Sequence, residues 1–448
     1  MQLKNCILVI GALSVAADQS SVDVTSKDAI IAAAKSAMPW LKLYYSSPNQ
    51  DGAWDQQLLQ WHESGIFWDL FYQYGSYSGD NMYSDWVDSQ MLLSTVGGDF
   101  LNGNSSIQGI SGRWNDDIGW WGFGVMTAAE HFGPDALVAP SVPGNGQPTY
   151  FAAAKQTYLE MLDQWDTTTC GGGIYWSRDR NSKIANQVYY KSTITNVQNM
   201  ELGARLFAAT KDRKYLDMND KIYAWLLSSK LITSDFQVWD GLDSRDCTIE
   251  QNPFPYHAGE VIAALAISYG ATQNQTYLDY AHKHWAAIKS NFINPSGVLY
   301  DPICDQKPGS CSKSPDGMMW ALYKGLANLY LTTPDTTIKA DIAKALRTSA
   351  TANFKGCGLD WNCMRVMNPI PKQYTLPNGT NHRDQMETVS LLNAVVLVNG
   401  ATKAVNAPQG TSSERGGNSS VTITKKSVGE KIASGAVAAC VAAVALIA

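Results

Sequence analysis

Between residues 27 and 402 apolar side chains recur at three- and four-residue spacing, and alternating apolar–polar runs are scarce. That period belongs to helices, and it divides the chain into about twelve segments of roughly 15–18 residues. They fall near 27–46, 60–77, 80–95, 116–132, 149–165, 193–210, 213–228, 257–273, 276–293, 317–333, 337–354 and 384–402. In the tenth, Met319, Trp320, Leu322, Tyr323, Leu326, Leu329 and Tyr330 make one wide apolar face. Turn-forming residues fill the gaps, as in Pro253-Phe254-Pro255 and Asn294-Pro295-Ser296-Gly297. Helices of similar length joined by alternately short and long loops favour antiparallel hairpins packed side by side. Six such hairpins closing into a ring give an (α/α)6 barrel, whereas an open solenoid would carry a repeating motif, and none is present. The expected fold is therefore all-α, an (α/α)6 barrel of about twelve helices spanning residues 18–403.

The two ends read differently from the body. Residues 1–17 carry Lys4, an apolar stretch from Cys6 to Leu13, and Val15-Ala16-Ala17, the layout of a cleaved secretion signal too short to span a bilayer. From Ala404 the chain turns polar and rich in Gly, Ser and Thr, a flexible stalk to residue 418. Gly416-Gly417-Asn418-Ser419-Ser420, a polar spacer and an uncharged tail from Ile432 to Ala448 form a GPI-attachment signal. Asn418 is the expected attachment residue and 419–448 the discarded propeptide. A lone transmembrane helix would more often be followed by cytoplasmic Lys or Arg, and none follows here.

Cysteine usage fits an oxidising route. Outside the discarded ends six remain, Cys170, Cys247, Cys304, Cys311, Cys357 and Cys363, an even set suited to three disulfides. Six cysteines allow 15 connectivities; the spacing suggests Cys304 with Cys311 and Cys357 with Cys363, leaving Cys170 with Cys247. Zinc binding is the competing reading, but no C-x-x-C or neighbouring His set supports it. Asn104, Asn274 and Asn378 stand in glycosylation sequons. The whole chain has net charge −6; removing the ends, which hold four Lys and one Glu, leaves −9, a surface that repels nucleic acid.

Serine-elbow, Walker and H-E-x-x-H motifs are absent. His282 and His284, two apart on a helix, point away from each other and do not form a metal pair. The segment that stands out is Arg113-Trp114-Asn115-Asp116-Asp117-Ile118-Gly119-Trp120-Trp121-Gly122, two adjacent carboxylates where a helix begins. Capping is the plain explanation of Asn-Asp-Asp at such a point. Yet a cap has no use for three Trp and two Gly, whereas a sugar site does: flat aromatic faces stack on pyranose rings. Retaining glycosyl transfer needs two carboxyl groups about 5 Å apart, one attacking the anomeric carbon and one protonating the leaving oxygen. A helix N-terminus keeps one ionised, and its charge raises the other's pKa. Candidate sugar contacts are Trp114, Asn115, Trp120, Trp121, Gly172, Gly173, Tyr175, Trp176 and Asp240. A disulfide-braced turn is an equal reading for the glycines, and a plain turn explains Trp239-Asp240-Gly241. Trp68, Trp225, Trp285 and Trp320 sit at helical spacing and are expected in the core.

The Asp116-Asp117 pair, the downstream Cys170-Gly171-Gly172-Gly173-Ile174-Tyr175-Trp176 and the helical layout resemble glycoside hydrolase family 76 over roughly residues 20–402. The terminal signals and cysteines resemble its fungal Dfg/Dcw cell-wall branch. The resemblance implies retention of configuration on α-mannosides, of endo-1,6-α-mannosidase type, with Asp116 as nucleophile, Asp117 as general acid/base, and neither cofactor nor metal. It implies a donor that is a mannose-containing glycan, the GPI core or α-1,6-mannan, and a β-1,6-glucan acceptor. GPI proteins would thereby be transferred to the wall by an enzyme itself held at the outer leaflet through GPI lipid. A hydrolytic endo-1,6-α-mannanase is the alternative. A GPI-anchored glycan-binding protein without catalysis is a third reading, opposed by retention of both aspartates. Bacterial members carry a Tyr-Asn-Gln-Gly-type segment; here Pro255-Tyr256-His257-Ala258-Gly259-Glu260 keeps only Tyr256, another expected sugar contact, and Gly259.

Overall fold

A computed structural model of the chain describes residues 19–43, 45, 51–55, 59–101, 114–138, 148–181, 185–305, 318–364 and 382–401. Thirteen α-helices lie among them: α1 (Lys27–Leu43), α2 (Trp61–Ser78), α3 (Ser84–Gln90), α4 (Asn115–Phe132), α5 (Tyr150–Leu162), α6 (Ala185–Val188), α7 (Thr193–Thr210), α8 (Lys214–Ser228), α9 (Pro255–Thr272), α10 (Gln275–Asn291), α11 (Met319–Thr332), α12 (Thr336–Phe354) and α13 (His382–Val398). Every expected segment has its helix, with α3 shortened and continued by a 3-10 turn, Met91–Ser94. Only α6, a single turn, has no counterpart in the periodicity.

Six helices, α2, α4, α7, α9, α11 and α13, are buried on almost every side. They contact one another in that order, and α13 returns to α2 to close the ring. The other long helices bury one stripe each and pack outside it. The sequence accounts for the division, because a helix apolar all round must be enclosed. Thus α9 reads Val261-Ile262-Ala263-Ala264-Leu265-Ala266 without a polar face, while α10 buries only one stripe, including Tyr277, Leu278, Ala281, His284, Trp285 and Ile288. The result is an (α/α)6 barrel. At one crossing the backbones nearly touch: a Cβ on Gly325 would lie 2.1 Å from the Gly259 carbonyl oxygen, so α9 and α11 need glycine there.

The inner helices point the same way. The first turns of α2, α4, α9 and α13 meet at one mouth, where His62 reaches Asp117 and Arg383 reaches Glu63. The loops there carry a small antiparallel sheet, β1 (Tyr190–Ser192), β2 (Gly241–Asp243) and β3 (Ile249–Glu250), with Tyr190 opposite Asp243 and Gly241 opposite Glu250. Strand β1 runs straight into α7, whose first turn is capped by the Ser192 hydroxyl.

Deeper in the barrel lies a buried charge cluster. Lys324 Nζ sits 2.8 Å from Glu201 Oε2 and 2.9 Å from Glu260 Oε1. Arg205 grips Glu130 through Nε at 2.8 Å and Nη2 at 2.9 Å, and also donates to Thr127. Burial raises Glu201, but Lys324, a hydrogen bond from Glu260 and Arg205 outweigh it and bring it to about 2. Glu260 is pushed well up by burial and by the charge of Glu201. Glu260 therefore keeps a proton while Glu201 is ionised beside the lysine. A cavity of about 430 Å³ opens beyond this cluster, lined by Gln73, Tyr77, Met126, Phe151, Arg205 and Asn328 among others.

Two disulfides join Cys170 to Cys247 and Cys357 to Cys363. Cys304 is also disulfide-bonded, and its expected partner Cys311 lies outside the described residues. Asn274 is exposed at the start of α10. Asn104, Asn378, Asn418, Arg113, the secretion signal, the stalk and the GPI-type tail lie outside the described residues. Among the described residues no helix is long and apolar enough to cross a membrane.

Candidate active site

The first turn of α4 is held by the loop that precedes β1. Asn115 donates its backbone N–H to the Trp176 carbonyl at 2.8 Å and its side-chain amide to the Tyr175 carbonyl at 2.7 Å. Its Oδ1 accepts from Arg178 at 2.9 Å. Asn115 is thus fully committed to fixing the helix start, and it is removed from the expected sugar contacts. The loop itself is tied by Lys191, whose buried Nζ donates to Asp166, Thr169 and Gly172.

Asp116 and Asp117 follow as the second and third helical residues. Backbone N–H groups of Asp116 and Asp117 and the Trp176 side chain bond the Asp116 carboxyl, which leaves its Oδ1 buried without a partner. Asp117 Oδ1 faces His62 Nδ1 at 3.3 Å. Burial pushes Asp116 up to about 7, with those hydrogen bonds opposing and the nearby charge of Asp240 adding. Asp117 is pushed further, first by burial, then by the charges of Asp116 and Glu63. The N-cap of α4 is Trp114 and makes no side-chain capping bond, so the plain capping explanation of Asn-Asp-Asp does not account for this buried carboxyl pair. Among the described residues no Lys or Arg forms an ion pair with either group.

Around the pair stands an aromatic and acidic wall. The rings of Trp114 and Trp176 lie 5.8 Å apart, and Tyr190 meets Trp176 edge-on at 6.1 Å. Asp240 accepts from the Tyr190 hydroxyl at 2.8 Å and sits 3.2 Å from His257 Nε2. Tyr256 stacks on Phe254, and its environment includes Asp240, Asp116 and Asp301. The structure therefore gathers Asp116, Asp117, Trp114, Trp176, Asp240 and Tyr256.

Five other expectations need correction. Trp120 and Trp121 are buried one turn below the aspartates, against Trp320 and Phe123 and against Trp61 and Phe100 respectively. The helical period puts them beneath the pair as packing. Gly172 and Gly173, at φ +156° and +103°, press against the Trp225 ring, 2.7 and 2.5 Å from where their Cβ atoms would be. They shape the turn that delivers Trp176, the disulfide-braced reading. Tyr175 bonds Asp166 through its hydroxyl and stacks under the Arg180 guanidinium at 3.6 Å, so its side chain serves the loop. Trp68, Trp225, Trp285 and Trp320 are core, as expected, and His284 is buried against the Tyr223 hydroxyl.

His62, Glu63, Arg383, Tyr190, Gln198 and His257 escaped the sequence reading. Gln198 donates to the Asp116 carbonyl at 3.2 Å. Glu63 takes Arg383 at 2.8 Å and the Gln60 N–H at 2.6 Å. The one usable signal was His62-Glu63 at the start of an apolar helix, a pair of polar residues in an expected core.

A closed ring of paired helices with a carboxyl pair at its mouth defines an (α/α)6 barrel protein of glycosidase type. The chain belongs to glycosyl hydrolase family 76, whose sequence profile matches residues 28–407. Among curated relatives, the mannan endo-1,6-alpha-mannosidase DCW1 of Candida glabrata is 26% identical over 316 residues, 67% of this chain and 66% of that protein, a little under two thirds of its length. DFG5 of Saccharomyces cerevisiae, which bears the same activity name, is 27% identical over 356 residues, 76% of this chain and 74% of that protein. Dfg5 from Chaetomium thermophilum, solved in complex with glucosamine, superposes with a TM-score of 0.75 at 22% identity, covering 87% of this chain and 95% of that one. An α-1,6-mannanase of a Salegentibacter species, inactive with two adjacent aspartates changed to alanine and bound to α-1,6-mannotetrose, gives 0.65 at 18% identity over 82% of this chain and 99% of that one.

Proposed function

We propose that this chain is a retaining glycosidase of α-1,6-linked mannosides in which Asp116 is the nucleophile and Asp117 the general acid/base. The observation that carries the reading is a buried pair of adjacent carboxyls at the barrel mouth, without a cationic partner among the described residues and split in proton affinity. Trp176 and two first-turn amides favour the ionised form of Asp116, while Asp117 holds its proton more tightly. In the first step Asp116 attacks the anomeric carbon as Asp117 gives its proton to the leaving oxygen. In the second, Asp117 takes a proton from the incoming hydroxyl, which displaces Asp116. Trp114, Trp176 and Tyr256 offer faces on which a sugar ring stacks. The inactive, doubly substituted mannanase of similar fold supports the assignment.

In the finer reading the incoming hydroxyl belongs to a β-1,6-glucan and the donor is the mannose-containing core of a GPI anchor, so that the enzyme moves GPI proteins to the wall. The terminal signals of the sequence support secretion and a GPI lipid at the outer leaflet. The test is to incubate the mature protein with α-1,6-mannotetraose, with and without a β-1,6-glucan oligosaccharide, and follow products by NMR and mass. An α-anomer as first product is expected; a β-anomer defeats the nucleophile assignment. A mass equal to donor fragment plus acceptor is expected for transfer, and water-terminated mannosides alone defeat it.

A further inference from the structure

His62 sits on the first turn of α2, buried, with Nδ1 3.3 Å from Asp117 Oδ1. We propose that His62 is a positioning residue for the general acid: a neutral imidazole whose Nδ1–H occupies Asp117 Oδ1 and so fixes the acid proton on Oδ2. The proposal rests on Asp117 being the acid/base.

The argument is about where one hydrogen can be. If Nδ1 were bare, the only hydrogen between the two groups would be the carboxyl's own, pointing at His62 and away from any leaving oxygen. With the hydrogen on Nδ1, Oδ1 is an acceptor and the carboxyl proton has to reside on Oδ2. An imidazolium in the same place would hold Asp117 ionised and leave no acid at all. The surroundings oppose that charge. Burial, opposed by Glu63 on its own helix and aided by Arg383 on α13, brings His62 down to about 4. The titratable group facing it from α4 is Asp117, which keeps its proton.

The arrangement serves both half-reactions. In the first, the Oδ2 proton passes to the glycosidic oxygen as the C1–O bond breaks and the bond from C1 to Asp116 forms. The resulting Asp117 carboxylate still receives the Nδ1–H. In the second, a proton from water or an acceptor hydroxyl returns to Oδ2 while its oxygen takes C1 from Asp116. His62 keeps one proton throughout.

The experiment compares wild type, His62→Leu, His62→Asn and Asp117→Ala on α-1,6-mannotetraose and on 2,4-dinitrophenyl α-1,6-mannobioside, whose leaving group needs no proton. For His62→Leu we expect a loss of about 30–100-fold in kcat on the tetraose, with KM within about threefold, and less than about threefold loss in the burst of dinitrophenol release. Asn, which can present an N–H where Nδ1 stood, is expected to recover all but about fivefold. Equal losses on both substrates would mark a packing role and overturn the proposal, as would a fully active His62→Leu. Asp117→Ala separates the two levels. If it loses the tetraose but releases dinitrophenol, the acid assignment stands and the His62 result decides alone. If it cleaves the tetraose at the wild-type rate, the acid assignment falls and the role of His62 with it.

Discussion

Two of the buried carboxyl pairs in this barrel differ, among the described residues, in whether a lysine meets them. At the mouth, Asp116 and Asp117 are raised together by burial, with no Lys or Arg ion-paired to them among the described residues. Deeper, Glu201 and Glu260 are held by Lys324 at 2.8 and 2.9 Å, with Arg205 close by. The difference is one of purpose. A carboxyl pair given a cation settles into one protonation state and becomes structure, worth little net stability but costly to break. A pair denied one keeps a mobile proton and a reactive oxygen, at the expense of stability. Burial of acids alone therefore does not mark the pair proposed to be catalytic; the lack of a Lys or Arg ion pair among the described residues does.

Removing the mouth carboxyls should have the largest effect. Asp116→Ala is expected to lower kcat by about 10⁴-fold or more, as loss of a covalent nucleophile does, and Asp117→Ala by about 10²–10⁴-fold on the mannan oligosaccharide. Neither should lower Tm, because each relieves a buried acid; a drop of more than a few degrees would class the pair with the deeper one. Lys324→Met should do the reverse. Leaving Glu201 and Glu260 buried without their shared lysine costs about 3–5 kcal/mol of stability, read by urea unfolding, while kcat of the folded enzyme stays within about threefold. Adding Glu201→Gln should restore part of the loss.

Trp176→Phe removes the indole donor on Asp116 but keeps a ring. A hydrogen bond to a charged group is worth about 1.5–3 kcal/mol, so kcat should fall about 10–100-fold and the acidic limb of the pH–rate profile should move upward. An unmoved limb would detach Trp176 from the nucleophile.

The gentlest contrast is in pH. Asp116, raised from 3.8 to about 7 on folding, contributes stability fully present below about 3.8 and lost as pH rises through about 7. Asp116→Asn should accordingly gain Tm on wild type by several degrees from pH 4 to pH 7, then level off. Glu201, lowered from 4.5 to about 2, contributes stability present above 4.5 and lost as pH falls through 2. Melting curves of Glu201→Gln should converge on wild type only on acidification below 4.5. Gaps of the same sign would erase the distinction between the pairs.

The helices were legible because their spacing is a local property, and Asp116-Asp117 because two acids at a helix start amid Trp is a local anomaly. What could not be read depends on partners far along the chain. Arg383 meets Glu63 across 320 positions and Lys324 meets Glu260 across 64. In sequence, the Asn196, Gln198, Glu201 and Arg205 run of α7 looks solvated, yet all four are buried in the ring. Trp114, Trp120 and Trp121 look alike on paper; only the phase of α4 against its neighbours puts the first beside Trp176 and the other two underneath. The three-stranded sheet was missed because strands of two or three residues carry no period.

The direction of α13 has a consequence for access to the mouth. It begins beside Glu63 at the rim with the aspartates and runs 17 residues, about 25 Å, before ending toward the other rim. The last turn of the final inner helix therefore stands a helix length away from Asp116 and Asp117, and a glycan strand approaching the carboxyl pair does not have to pass it.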